Sequence, residues 1–417
     1  SARTGIMING GSVTVEQDVR VKGGQYGIDV PYPSITLNDG TLILKEGAAL
    51  LSGLTVPEGK VLADYLPEGT AFVKCSYDYD SNTLTVSDPQ EFVPDVYTSN
   101  NITEGMAVVS HTHDFGGGTA CPCGFNCDHS TVDETTGKCE TCGTQVYVAT
   151  LTAADGTKQS YASFADAWIA AVDNEGSTLK LLCDITLNNA ENGIIAQSGK
   201  FTFDLNGKTV SGDITNQLLT VSGTADITIR NGKLTNTFSK SSSDIERSCA
   251  NALKIDGGTA ALDGVELTAG HGLGDIRSYS AYILSGSLTV VSGTFTGMLA
   301  VMRNTSEVPP SVKITAATLH NGIMYVCEGA TDFDYVGLKA FFADGSMLFD
   351  ENGKYIDITS DSYWVTDGGE EYGYYAAGFY YENGAIVKPH THDTYVDGKC
   401  AECDYVCPHD SGINDRE

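Results

Sequence analysis

Between Thr178 and Gly329 apolar and polar positions alternate in short runs, and each pair of runs is separated by a Gly-containing turn. KFTFDLNGKTVSGD, LLTVSGTADITIRNGKLTN, ALKIDGGTAALDGVELTAG and AYILSGSLTVVSGTFTG are successive examples. Successive residues of a strand point to opposite sides, so alternation such as Leu219, Val221 and then Ile227, Ile229 gathers the apolar side chains on one face. Similar two-strand rungs can stack those faces into one continuous core. The pattern predicts a mostly β chain built on a right-handed parallel β-helix. Gly-rich alternating strands also suit an antiparallel sandwich, which is the competing architecture.

The period changes just before the rungs. In YASFADAWIAAVDNEG, Phe164, Trp168 and Val172 share a face at i, i+4, i+8, and Ser163 can cap the helix with Asp166 three residues on. A solenoid's first rung exposes apolar core, so this helix is expected to cover it, with Trp168 packed in the cap. After the rungs, residues 336–389 turn to an aromatic antiparallel meander that ends in HTHD. The layout of turn, paired strands and HTHD occurs earlier too, in AFVKCSYDYDSNTLTVSDPQEF and NNITEGMAVVSHTHD. The expected order is therefore the last rungs of one β-helix (1–66), an antiparallel segment (67–110), a Cys/His linker (111–143), a capping helix with a parallel β-helix (144–335), an aromatic β-meander (336–389) and a second Cys/His linker (390–417). GIMINGGSVTV opens in strand-like sequence and CPHDSGINDRE closes inside a ligand motif, which reads as a piece of a longer protein.

The linkers carry the candidate chemistry. His111, His113, Cys121, Cys123, Cys127, His129, Cys139 and Cys142 fall into two sets of four, each made of a close pair, a short loop and another close pair. His390, His392, Cys400 and Cys403 repeat the scheme, followed by Cys407 and His409. Two ligands one or two residues apart can reach one ion from a tight turn, a loop brings the second pair round, and thiolate with imidazole suits tetrahedral zinc. Gly143 permits the sharp turn such sites use. Disulfide bonding is the alternative for the cysteines, although it has no need of the histidines. Iron-sulfur ligation fits less well, since no set offers four cysteines in a known spacing. With four candidates per set, the expected zinc is structural, because a catalytic ion keeps a position open for water. Of the isolated cysteines, Cys183 and Cys327 lie in apolar strands and are expected in the core.

Charge narrows the partners. With 54 acidic and 24 basic side chains the formal net charge is -30, which repels a nucleic-acid backbone or an anionic membrane. No stretch has the roughly 20 apolar residues that span a bilayer, so no membrane insertion by this chain is expected. FADAWIAAV, TLKLLCDITL, FTFDLNGKTVSG and HTHD…GKCAEC together resemble the large, repetitive, β-helix-containing surface proteins of anaerobic Gram-positive bacteria. The resemblance covers nearly the whole chain and rests on loose repeats, so it implies an extracellular, cell-surface location and an architecture more than an activity.

Three function classes follow. Insertions in NTFSKSSSDIERSCANA, GHGLGDIRSYSA and MRNTSEVPPS are expected to stack into one groove collecting Asp244, Glu246, Arg247, His271, Asp275, Arg277, Tyr279 and Arg303. On a pectate-lyase-like solenoid, such a groove could serve a β-helix polysaccharide lyase or a glycoside hydrolase. It could equally bind a glycan or protein of the host or environment as an adhesin, helped by the Tyr-rich EEYGYYAAGFYYENG strands. A stalk that displays another part of the protein fits the duplicated layout best. No compact catalytic motif favours the enzyme.

Overall fold

The computed structural model describes residues 5–23, 33–78, 80–87, 91–116, 118–188, 193–239, 250–270, 278–304, 308–328, 333–343, 345–365, 376–390, 395–396 and 399–400. The chain forms two compact units, one of residues 1–134 and 138–146, the other of 135–137 and 147–417.

In the second unit the alternation becomes a solenoid. Parallel pairing places Phe201 beside Ile227, Ala260, Leu288 and Val312 in successive coils. Val210, Leu234, Leu267, Phe295 and Leu319 form a second column. Leu219, Leu253, Ala281, Leu299 and Ile323 form a third. Three columns make three faces around one interior, and every residue named in them is buried. Parallel strands stacked in this way bury their apolar side chains against the same strand of the next coil and against the other two faces across the interior, in one continuous core. The turns stack as tightly as the strands. A Cβ on Gly286, at φ +83°, would lie 2.1 Å from the Gly258 carbonyl oxygen of the preceding coil, so glycine is required there. The antiparallel sandwich is thereby excluded for this segment.

Helix α1, Phe164–Asp173, covers the first coil. Ser163 caps it, its side chain accepting from the Asp166 N–H. The Trp168 ring stands edge-on to Phe201 and Phe203 at 5.3 and 5.2 Å, and its Nε1 donates to the Ile195 carbonyl at 3.1 Å. At the other end the parallel order stops. Ile323–Glu328 pairs antiparallel with Ala376–Tyr381, Ala317–Leu319 with Ala385–Pro389, and the latter with Ser346–Asp350. A short helix, α2 (Tyr335–Lys339), precedes this cap and was not apparent from the periodicity.

The first unit ends in the same sequence of elements. Its parallel strands Ile6–Val15, Ile35–Leu44 and Leu54–Thr55 stack as coils. Leu54–Thr55 then pairs antiparallel with Asn101–Ile102, Ala49–Leu50 with Met106–Ser110, and the latter with Thr70–Asp78. A 3-10 helix, Leu62–Tyr65, stands where α2 stands in the second unit. Each unit is thus a stack of coils closed by an antiparallel cap, and each cap runs directly into a histidine, His111 or His390. Among the described residues no helix is long and apolar enough to cross a membrane.

Candidate metal centres

His111 follows the last cap strand without a gap, and its N–H donates to the Gly69 carbonyl at 2.8 Å. The Cys/His segment then folds onto the cap. Phe115, Cys121, Cys123, Cys127 and Cys139 are buried in one cluster with Ala71, and Phe92, Tyr97 and Phe125 pack against it. The expected linker is therefore no free connector but a layer laid over the cap of its own unit.

Two four-residue groups emerge, His111, His113, Cys121 and Cys123 in one, and Cys127, His129, Cys139 and Cys142 in the other. Within each, the four ligand atoms all lie within 4.8 Å of one another, so each group could hold a metal ion. In the first, His111 Nε2 is 3.2 Å from Cys121 Sγ and His113 Nδ1 is 3.3 Å from Cys123 Sγ. In the second, Cys127 and Cys139 sulfurs are 3.3 Å apart and His129 Nδ1 is 3.4 Å from Cys142 Sγ. Tetrahedral ligands held 2.0–2.3 Å from one ion lie about 3.3–3.8 Å apart, close to these values. A disulfide needs sulfurs at about 2.05 Å, and the cysteines of the two groups form none.

The surroundings of these atoms suit ligation. Burial pushes the His111 and His113 imidazoles toward the neutral form that binds metal, and for His113 the neighbouring His111 adds to it. His113 is stacked on Phe125 at 4.4 Å, and His111 rests against Phe92 at 4.7 Å. N–H groups point at the sulfurs: that of Cys142 draws the Cys139 thiol down to about 6, with that of Thr141 contributing, so Cys139 is a thiolate at neutral pH. Burial raises Cys123, and raises Cys127 to about 11, against the opposing N–H groups of Phe125 and His129. Those two thiols must give up protons when an ion binds.

Both knuckles turn on glycine. Gly143 has φ +72°, its N–H donates to the Cys139 carbonyl at 2.8 Å, and the Cys139 N–H reaches the Thr144 carbonyl at 2.9 Å. Gly124 does the same for the first pair: φ is +98°, Gly124 N–H donates to Cys121 O at 2.8 Å, and Cys121 N–H to Phe125 O at 2.8 Å. A Cβ on Gly124 would stand 2.6 Å from Pro94 Cα, so this glycine also lets the segment touch the cap. Sequence reasoning singled out Gly143 and passed over Gly124, although the run Cys-Pro-Cys-Gly carries the same signal.

In the second segment His390 Nε2 is 3.3 Å from Cys400 Sγ, and both are buried. This repeats His111 with Cys121 in atom and in distance. His392, Cys403, Cys407 and His409 lie outside the described residues.

The expected groove of stacked insertions does not form as drawn. The first two insertions leave strands Asp226–Asn236 and Asn251–Thr268 at Asn236 and Thr268 and re-enter at Asn251 and Tyr279, which is one corner of the coil. The third runs from Asn304 to Ser311, at the next corner. Two successive corners cannot stack on one side. Tyr279 begins a strand and its ring stacks on Tyr282 at 5.1 Å. Arg303 lies within a strand, two residues beyond the inward-facing Val301, and pairs with Asp334 at the start of α2. Tyr325 donates to the same carboxylate at 2.6 Å, so Arg303 fastens α2 to the last coil rather than facing a ligand. Asp244, Glu246, Arg247, His271, Asp275 and Arg277 lie outside the described residues. Cys327 is buried in the core as expected, and Cys183 is half-buried.

Comparison of this chain with protein-family models, with curated proteins and with solved structures found no match. The functional reading therefore rests on geometry and on the internal repetition.

Proposed function

We propose that the chain is a segment of a secreted bacterial cell-surface protein, an adhesin or structural stalk, in which right-handed, pectate-lyase-like β-helical modules are joined by zinc-bearing Cys/His segments. The observation that carries this reading is the recurrence of one unit: coils, antiparallel cap, then a buried His–Cys pair at the same separation, 3.2 Å in one case and 3.3 Å in the other. Repetition of a whole module with its joint suits a protein that gains reach by adding units. Zinc is supported by the ligand set, two imidazoles and two thiolates in the first group and one imidazole with three thiolates in the second. A full set of four supports a structural ion. The net charge of -30 suits a surface protein that stays dispersed among its neighbours and takes a glycan or protein, not a nucleic acid, as partner.

Elemental analysis of chain purified without chelator tests the zinc. At least one zinc is expected for each of the two complete groups, with their thiols protected from alkylation until the metal is removed. Metal content near zero with thiols that stay unreactive would sink the zinc reading. A glycan-binding screen run beside an assay for cleavage of acidic polysaccharides tests the rest. Binding without product supports the adhesin; product formation that Asp275→Ala or Arg277→Ala abolishes would make the chain a lyase or hydrolase instead.

A further inference from the structure

The antiparallel cap of the second unit leaves part of its own core open. Leu348, Ile356 and Ile358 belong to the continuous core of the coils, and all three also line a groove of about 660 Å³ between α2 and the segment 355–359. That volume falls in the range of roughly 300–1,000 Å³ that small-molecule sites occupy. Phe342 completes the floor. At the mouth stands Val336, 81% exposed. Leu338 is the residue that α2 buries, and a helix turns about 100° per residue, so Val336, two positions earlier, is held on nearly the opposite side.

The alternation that builds the floor also clears it of carboxylates. Asp357, between Ile356 and Ile358, is exposed, and its carboxylate accepts from the Thr359 N–H at 2.9 Å and from the Thr359 hydroxyl at 2.7 Å. Tyr335 forms one wall, with its hydroxyl donating to Asp361 at 2.9 Å. Among the described residues that line the groove none is Asp or Glu, although the chain has 54 acidic side chains. Two lysines do line it, from separate elements. Lys313 follows Thr289 in the outward row of the last coil, and Lys339 ends α2.

We propose that this groove binds an unbranched aliphatic carboxylate, with its methylene chain along Phe342, Leu348, Ile356 and Ile358 and its carboxylate at Lys313 and Lys339. Charge complementarity selects the head: two ammonium groups with no lining carboxylate favour an anion and repel a cation. The floor selects the tail. None of its four side chains carries a hydrogen-bonding group, so a sugar ring would lose water from its hydroxyls without finding partners, whereas methylenes lose nothing and cover apolar surface. The site is separate from the Cys/His groups and depends on neither their metal nor the adhesin reading.

Isothermal titration of the full chain with octanoate, decanoate and dodecanoate, each below its micelle concentration, tests the proposal. Saturable binding is expected to strengthen by about tenfold for each two-carbon step, somewhat under the full value of about fourfold per buried methylene because the groove is open on one side. Lys313→Glu with Lys339→Glu should weaken decanoate by about tenfold or more, the worth of a charged hydrogen bond. Ala340 is exposed at the end of α2 and lines the groove, so Ala340→Trp should abolish binding by filling it while the β dichroism stays unchanged. Affinity indifferent to chain length would reduce the contact to a surface ion pair, and affinity indifferent to the lysines would remove the anion; either overturns the proposal. So does decanoate binding that survives Ala340→Trp, or the lack of saturable binding by any of the three acids.

Discussion

At Gly124 a single missing Cβ does two things. It allows φ +98° at the turn of the Cys121–Cys123 pair, and it lets the turn lie against Pro94 of the cap. Gly124→Ala should therefore strain the backbone and push the segment from its platform, costing about 1–3 kcal/mol. The check is a zinc titration in which the first group loses affinity while the second keeps it; equal loss at both would show a general unfolding instead. The thiols make a prediction of their own. Cys139 is held down to about 6 by the Cys142 N–H, and burial holds Cys127 up to about 11. Between those limits Cys139 has already lost its proton and Cys127 has not, so each ion bound there must displace the Cys127 proton. Affinity of the second group should rise at least about tenfold per pH unit through neutrality and fall on acidification. Metal titrations at pH 6.5, 7.5 and 8.5, roughly a unit apart, read that slope, and a flat profile would refute it.

Each face of the solenoid rests on stacked columns of inward residues, and the last coil depends on how α2 is fastened. Arg303, Tyr325 and Asp334 form that fastening at the end of the inward row that includes Leu299 and Val301. Arg303→Met keeps much of the side-chain volume but leaves Asp334 with its Tyr325 and Gly337 donors alone. A loss of about 1–2 kcal/mol is expected, measured as earlier urea unfolding of the second unit, with zinc binding at the first two groups unchanged. The α2 element escaped the sequence pattern because five residues complete little more than one turn, too short a span for a 3.6-residue period to appear. α1 was legible because Ser163, Phe164, Trp168 and Val172 combine a cap with a full apolar stripe.

For the whole molecule the division is between coils that bury their own core and a Cys/His layer over the first cap whose two four-residue groups could hold metal ions. Chelation should release the layer over the first cap and leave the stacked core from Phe201 to Ile314 intact. Far-ultraviolet dichroism would then lose little β signal while the protection of His111–Cys142 amides disappears; collapse of the whole β signal would show that the metal holds the coils too. The linear order of amino acids determined the strands and their apolar faces, since alternation puts every second side chain on one side; that these faces stack as parallel columns was decided by the pairing of successive coils. The linear order also determined the ligand sets, because close pairs such as Cys139 and Cys142 can reach one ion through local turns. Tertiary structure alone decided which corner each insertion occupies, as coil length does not reveal where the chain bends. It alone turned Arg303 inward, because the partner Asp334 is distant in sequence. And it alone showed the Cys/His segment lying on a cap, a contact made by Ala71, Phe92 and Pro94, whose side chains carry no chemistry that a sequence could announce.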